Sequence, residues 1–278
     1  EAGYTASAEF HYLHHQVGGR HFDNTAETSQ CIFAASEASG IGLTHLPVLY
    51  TYGGFDQRPL GGAQVRFYNN LENYLILLDK VRKAADSMAN RGYGLAVHSL
   101  RAVAPEQLTA LDRISRVDYP DIPFHIHVAE QLNEVEECIA LLGVRPVQWL
   151  CHEIDVDHRW CFVHATHVNS RELESMAERG VVVGLCPTTE ANLGDGLFPA
   201  TEFVALGGKF GIGSDSQICS NPARELQLLE YGQRLKHHRR ALMMGVGERH
   251  NGTGLVQWAV AGGGRACGRL LTGITAGA

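Results

Sequence analysis

Three short clusters hold the side chains of this chain that can do chemistry: His125-Ile-His127-Val-Ala-Glu130, Phe162-Val-His164-Ala-Thr-His167 and Gly213-Ser-Asp215-Ser216. Each falls where an apolar or β-branched run of strand length ends. Successive side chains of a strand point to opposite faces, so His125 and His127 share a face and one of them can reach the mouth of a barrel, with Glu130 just past the strand end. An H-x-H pair alone also fits hydrogen-bonded core histidines. A carboxylate three residues later, together with further strands ending in His164 and Asp215, shifts the reading to a hydrolase site built around a divalent metal.

Hydrolytic deamination needs a water that is nucleophilic near neutrality, a base to take its proton and an acid to protonate the departing nitrogen. A zinc ion lowers the pKa of its water from about 15.7 to about 7. Asp215 suits the role of base, and Glu130, beside the metal but not bound to it, suits the role of acid. His98 ends the run from Tyr93, and Arg101 three residues on is either a fork for a substrate carboxylate or a surface ion-pair residue. Tyr12, near the end of the first strand, either reaches a ligand or packs in the core. In the turn-forming stretch from Leu185 to Gly194, Glu190 and Asn192 hold either the loop or a ligand. His167 is read as structural. The adjacent pairs His14-His15 and His237-His238 do not face one metal from regular structure and read as loop or solvated histidines.

The elements that must position these residues alternate between strand-like and helix-like runs, which predicts a parallel sheet with crossover helices. Strands are expected near Gly3 to Tyr12, Gly42 to Tyr50, Gly94 to Leu100, Pro123 to Val128, Cys161 to Ala165, Val181 to Leu185 and Phe210 to Gly213, one short of an eightfold barrel. Helices are expected over Leu71 to Ala89, with an apolar stripe at Leu71, Leu75, Leu78, Val81 and Ala85, and over Arg171 to Glu178, capped by Asn169 or Ser170 and ended by Gly180. Others run from Asn221-Pro222 towards Arg240 and over Asn251 to Arg269, with Thr272 to Ala278 breaking off before any further element. The stretch from Gly53 to Arg66 reads as a long loop that could serve as a substrate lid.

With 278 residues, 45% of them hydrophobic, the chain can fill one barrel domain spanning residues 1–278. Its net charge of -7 argues against nucleic acid or an anionic membrane as the main partner and leaves a small-molecule substrate. No apolar run reaches the roughly 18 residues of a membrane span. Seven cysteines, an odd number without a C-x-x-C pair, read as reduced and mostly buried thiols of a cytoplasmic protein. A dimer is the default expectation for assembly.

The segments Ala8-Glu-Phe-His-Tyr-Leu-His-His15, Val97-His-Ser-Leu-Arg-Ala-Val103, His125-Ile-His-Val-Ala-Glu-Gln131, Val163-His-Ala-Thr-His167, Cys186-Pro-Thr-Thr-Glu-Ala-Asn-Leu-Gly-Asp-Gly196 and Gly213-Ser-Asp-Ser216 resemble the amidohydrolase superfamily along nearly the whole chain. More narrowly, they resemble its branch of formimidoylglutamate deiminases. The resemblance implies an α/β fold, a metal-dependent (β/α)8 TIM-like barrel with one zinc, in which His127 and Asp215 are metal ligands. It also implies that Glu130 passes a proton to the leaving imino nitrogen, that His164 orients the attacking water, and that Arg101 clamps a glutamate carboxylate in a pocket lined by His98 and Tyr12. The implied reaction releases ammonia from N-formimino-L-glutamate and leaves N-formyl-L-glutamate, a step of histidine degradation. Rival readings are a deaminase or chlorohydrolase of a heteroaromatic substrate, or a barrel that keeps the fold and binds without turnover.

Such enzymes carry two further metal ligands in an H-x-H on a first barrel strand and a small β-sandwich made from both chain ends. Here the H-x-H stands in the fifth strand's position, so the chain is expected to be a truncated barrel, a fragment lacking that first strand and the sandwich. Two protein ligands hold zinc less well than three or four, and the fragment alone is therefore expected to be inactive or unstable.

Overall fold

The computed structural model describes residues 3–245 and 249–269. Its strands are β1 (Ala6–His11), β2 (Gly42–Leu49), β3 (Arg91–Tyr93), β4 (Leu95–Val97), β5 (Phe124–Val128), β6 (Trp160–His164), β7 (Val182–Leu185) and β8 (Lys209–Ile212). All of their pairings are parallel, in the order β1-β2-β4-β5-β6-β7-β8, with β3 beside β2. All seven expected strands form, the third shortened to β4, and β3 is an additional short strand just before Gly94 that was not expected. A side chain at Gly94 would bring its Cβ within 2.5 Å of Leu46 Cδ2 and 2.9 Å of the Pro123 carbonyl, so two neighbouring strands close on the backbone at that point.

Parallel strands need long crossovers, and helices supply them. They are α1 (Glu27–Ser39), α2 (Leu71–Asp86), α3 (Pro105–Asp118), α4 (Leu132–Leu142), α5 (Pro146–Glu153), α6 (Ser170–Arg179), α7 (Pro187–Leu193), α8 (Ala200–Ala205), α9 (Pro222–His237) and α10 (Asn251–Ala266). The expected punctuation operates: Asn169 accepts from the Glu172 amide while Glu172 reaches back to Asn169, and Asn221 accepts from Ala223. In α2 the buried positions are Tyr74, Leu77, Leu78, Val81 and Ala85, while Leu71 and Leu75 are only partly covered. The apolar stripe packs on the sheet as expected, rotated slightly toward Tyr74. The stretch after Gly53 is irregular until a short 3-10 helix at Gly62–Phe67, and Gln57, Pro59, Leu60 and Val65 wall a cavity of about 470 Å³. The expectation for Thr272 to Ala278 lies outside the described residues.

Strand alternation sorts the side chains into two layers. Phe124, Ile126, Val128, Trp160, Phe162, Val183 and Leu185 face the helices in the main core. Ala8, Phe10 and Tyr12 share the other, inner face with Leu46, Val48 and Ala96, and Phe10 also touches the cluster of Cys161, Val163, Val182 and Ala266. Every residue of β2 is buried, as expected of a parallel strand covered on both sides.

The C-terminal end of α10 ties down the inner face. The Ala266 carbonyl accepts from His125 Nε2 at 2.7 Å, and the Cys267 carbonyl accepts from Thr44 Oγ1 at 2.7 Å. His125 is thus the core histidine of the H-x-H pair. The pair His14-His15 lies in the loop after β1, as read, but is buried there rather than solvated: each Nε2 donates to a carbonyl, His14 to Val48 at 3.0 Å and His15 to Tyr68 at 2.7 Å. A neighbouring strand and the following loop cover these residues, which no local pattern announces. Of the seven cysteines, all free, only Cys138, Cys161 and Cys186 are buried.

Helix α10 approaches β8 without side chains between them. A Cβ on Gly262 would lie 1.9 Å from the Phe210 carbonyl oxygen. Gly262→Ala should therefore destabilise by about 1–3 kcal/mol through overpacking, lowering the melting temperature, and an unchanged thermal melt would refute this close approach. Burial pushes the imidazole of His14 down to about 3 and that of His125 down to about 4. Both are neutral in the fold, whereas the unfolded chain protonates them below about 6.5, so stability is full above that pH and falls as the medium is acidified towards 4. Each such group contributes up to about 1.4 kcal/mol per pH unit in that window. Urea melts between pH 7.5 and 5 should show the loss, and replacing His125 with Gln should shrink it.

Candidate active site at the strand ends

The parallel register puts the C-terminal ends of β5 and β6 side by side: His127 stands opposite Val163, and Val128 opposite His164. His127 lies on the inner face with its ring against Phe10, centroid to centroid 4.4 Å. Its Nδ1 lies 2.9 Å from the His98 carbonyl, which can only accept, so the ring proton sits there and Nε2 keeps a free lone pair. Burial, reinforced by His164, pushes this imidazole down to about 3, so it is neutral.

By alternation His164 would face the helices with Phe162. A left-handed backbone at His164 (φ 66°) and Ala165 (φ 48°) turns it back towards the rim. Its Nε2 then lies 3.7 Å from Glu130 Oε1 and 3.9 Å from Asp215 Oδ2, with the His127 ring 5.6 Å away. Ala129 (φ 50°) and Asp215 (φ 50°) share this costly conformation. Backbone strain of about 1–3 kcal/mol per residue is thus concentrated where the four predicted side chains meet.

Glu134 at the start of α4 holds the turn that presents Glu130: its two carboxylate oxygens accept from the amides of Ala129 at 2.9 Å and Glu130 at 3.0 Å. Burial raises the Glu130 carboxyl above its ordinary value, with the His164 ring opposing and Asp195 and Asp215 adding to the rise. A carboxyl raised in this way can both hold and release a proton nearer neutrality. His164 is also held above its ordinary value: burial opposes this, but Glu190, Glu130 and Asp215 together outweigh it.

The other predicted residues form a second cluster on the near side of His127. Arg101 Nη2 donates to His98 Nε2 at 3.2 Å, so the His98 proton sits on Nδ1, 3.4 Å from the Tyr12 hydroxyl. Burial, with His127 and Arg101 adding to it, drives His98 well below its ordinary range. Tyr50 stacks on the His98 ring at 4.6 Å and 9°. Arg101 itself is exposed.

Four contributors were not singled out from the sequence: Tyr50, Glu134, Asp195 and the inward role of Glu190. Tyr50 and Asp195 act through long-range contacts, Tyr50 on His98 and Asp195 accepting from the Gln131 side chain at 3.0 Å. Glu134 had a local signal, a carboxylate four residues after Glu130. Glu190 is buried and Asn192 exposed, so of the pair left open only Glu190 faces inward. His167 lies on the loop beyond β6, where its amide donates to the Ala129 carbonyl, consistent with a structural part.

Among the described residues, two sets of side chains have the chemistry to hold a divalent ion. At the rim, the free Nε2 of His127 and the Asp215 carboxylate fit the donor types such an ion takes. On the opposite face of β1, Glu9, His11 and His45 bring their ligand atoms within 4.8 Å of one another. There Glu9 already pairs with both rings, 2.7 Å to His45 and 3.3 Å to His11, and His11 Nε2 reaches Thr28 at 2.9 Å, tying β1 to α1. Burial works against the Glu9 charge, yet the imidazoles of His11 and His45 beside it hold its carboxyl down to about 2.

The sequence matches the amidohydrolase family over residues 2–275. It is 47% identical over 277 residues to formimidoylglutamate deiminase of Pseudomonas aeruginosa, covering 100% of this chain and 60% of that protein. It is 30% identical over 152 residues to 5-methylthioadenosine/S-adenosylhomocysteine deaminase of Natronomonas pharaonis, covering 55% of this chain and 34% of that one. An amidohydrolase from Brucella melitensis of known structure superposes with a TM-score of 0.93 at 46% identity, covering 99% of this chain and 61% of that chain. A guanine deaminase from C. acetobutylicum, with a TM-score of 0.76 at 17% identity over 96% of this chain and 59% of its own, shares the fold. The chain spans 60% of the length of the deiminase it matches. From the matched residues and the shared barrel architecture, the chain belongs to the amidohydrolase family.

Proposed function

We propose that this chain carries the reaction centre of a metal-dependent formimidoylglutamate deiminase, which hydrolyses N-formimino-L-glutamate to N-formyl-L-glutamate and ammonia. Arg101 carries the reading: its guanidinium lies 3.2 Å from His98, whose ring is 5.3 Å from that of His127, so a carboxylate-binding fork sits one imidazole away from the rim acids. Similarity at 47% identity to a deiminase of that name, along the whole of this chain and 60% of the relative, supports the same substrate. A heteroaromatic base has no carboxylate to engage such a fork.

In this reading Arg101 anchors a substrate carboxylate, and Tyr12 and His98 wall the pocket. A divalent metal, zinc by preference, held by His127 Nε2 and the Asp215 carboxylate, would supply the Lewis acidity that makes water nucleophilic near neutrality. Asp215 accepts the water proton, and His164 orients the water towards the formimino carbon. Water oxygen bonds to that carbon as one water proton passes to Asp215 and Glu130 protonates the imino nitrogen. The proton on Asp215 then passes to the same nitrogen and the remaining hydroxyl proton returns to Glu130, so the carbon–nitrogen bond breaks to release ammonia as the formyl carbonyl forms.

Ammonia release from the metal-loaded natural gene product tests the proposal. Formiminoglutamate should be turned over and guanine should not, and the reverse preference would refute it. Arg101→Ala should raise KM by about 10- to 100-fold, the loss of a charge-assisted pair. Glu130→Gln should lower kcat by about 10²- to 10⁴-fold with little change in KM.

A further inference from the structure

Glu190 sits on α7, outside the set of side chains assigned to the reaction, yet among the described residues its carboxylate is the only hydrogen-bond partner of the Nδ1 edge of His164. Glu190 Oε1 lies 3.2 Å from His164 Nδ1 and accepts from the Cys186 amide at 2.9 Å. Both side chains are buried, His164 at 1% exposure and Glu190 at 4%. The N-terminal turn of α7 is itself fixed from α9, where Glu225 Oε2 accepts from the Thr188 amide at 2.9 Å and Oε1 from its hydroxyl.

We infer that Glu190 is the positioning residue of His164, an inference that rests on the proposed deiminase reading. An ionised carboxylate can only accept, so the Nδ1 edge of His164 must donate to it, and the ring is locked with Nε2 towards Glu130 and Asp215. Without that acceptor the left-handed backbone at His164 and Ala165 sets where the ring enters the rim but not which of its nitrogens faces Glu130 and Asp215. One oxygen thereby couples the turn after β7, through the Cys186 amide, to the ring at the end of β6. A carboxylate that merely closed that turn would need only the Cys186 contact.

Two variants separate these roles. Glu190→Gln keeps an acceptor oxygen for both contacts, whereas Glu190→Ala removes it. Proton and nitrogen NMR of histidine-labelled, metal-loaded protein should show a hydrogen-bonded, exchange-protected Nδ1 proton on His164, assigned by its loss in His164→Asn. That signal should persist in Glu190→Gln and vanish in Glu190→Ala. With formiminoglutamate, Glu190→Ala should lower kcat by about 10- to 100-fold, as for other partners that orient an active-site histidine, with KM nearly unchanged and Glu190→Gln restoring most of the loss. An Nδ1 proton signal unaltered in Glu190→Ala, or a kcat equal to that of the parent, overturns the inference. If Glu190→Ala does not fold, loss of the signal in the folded Glu190→Gln protein does so. Should the parent fail to release ammonia from formiminoglutamate while the Nδ1 signal behaves as described, the substrate reading fails and the positioning role stands.

Discussion

The reversal of the backbone at His164 is the constraint on which the rest of the site depends. Strand alternation assigns that position to the helix-facing layer, among Phe162 and Val128. A left-handed φ of 66° at a β-strand end turns the imidazole into the rim instead. Such a conformation in a side-chain-bearing residue costs free energy that packing elsewhere must offset. The parallel pairing of β5 with β6 offsets it, since the Ala165 amide donates to the Val128 carbonyl at 3.1 Å and the His167 amide to that of Ala129 at 2.9 Å.

Once His164 is turned, the electrostatics follow from burial and from neighbours. His98 and His127 lose water without gaining an acid and are driven to the neutral form. His164 loses water too but faces three carboxylates, which favour its charged form. Histidines a few ångströms apart are thereby sorted into neutral and charge-favouring rings. Backbone carbonyls complete the arrangement: the His98 carbonyl sets the tautomer of His127, as the Ala266 carbonyl holds His125 deeper in the same strand.

The outer face of β1 follows a different logic with the same residue types. Glu9, His11 and His45 form a closed set of pairs between the strands and α1, on the side away from Tyr12 and His98. Residue type alone does not separate this cluster from the rim. The period-two alternation of β1 does, because Phe10 and Tyr12 point to one face and Glu9 and His11 to the other.

Much of the architecture was legible in the linear order. The seven strand runs, the capped helices and the strand-end positions of His127, His164 and Asp215 follow from periodicity and turn chemistry, which are local properties of the chain. The burial of His14 and His15, the extra strand β3 before Gly94, the stacking of Tyr50 on His98 and the grip of Glu190 on His164 were not legible. Each depends on which distant segment packs opposite, and residue spacing carries no information about that. By itself the sequence determined a parallel α/β sheet with its acids and imidazoles at the strand ends, because hydrophobic period and side-chain alternation are written residue by residue. The tertiary structure alone decided which imidazole faces which carboxylate, because that depends on strand register and on a backbone reversal stabilised by contacts far away in the chain.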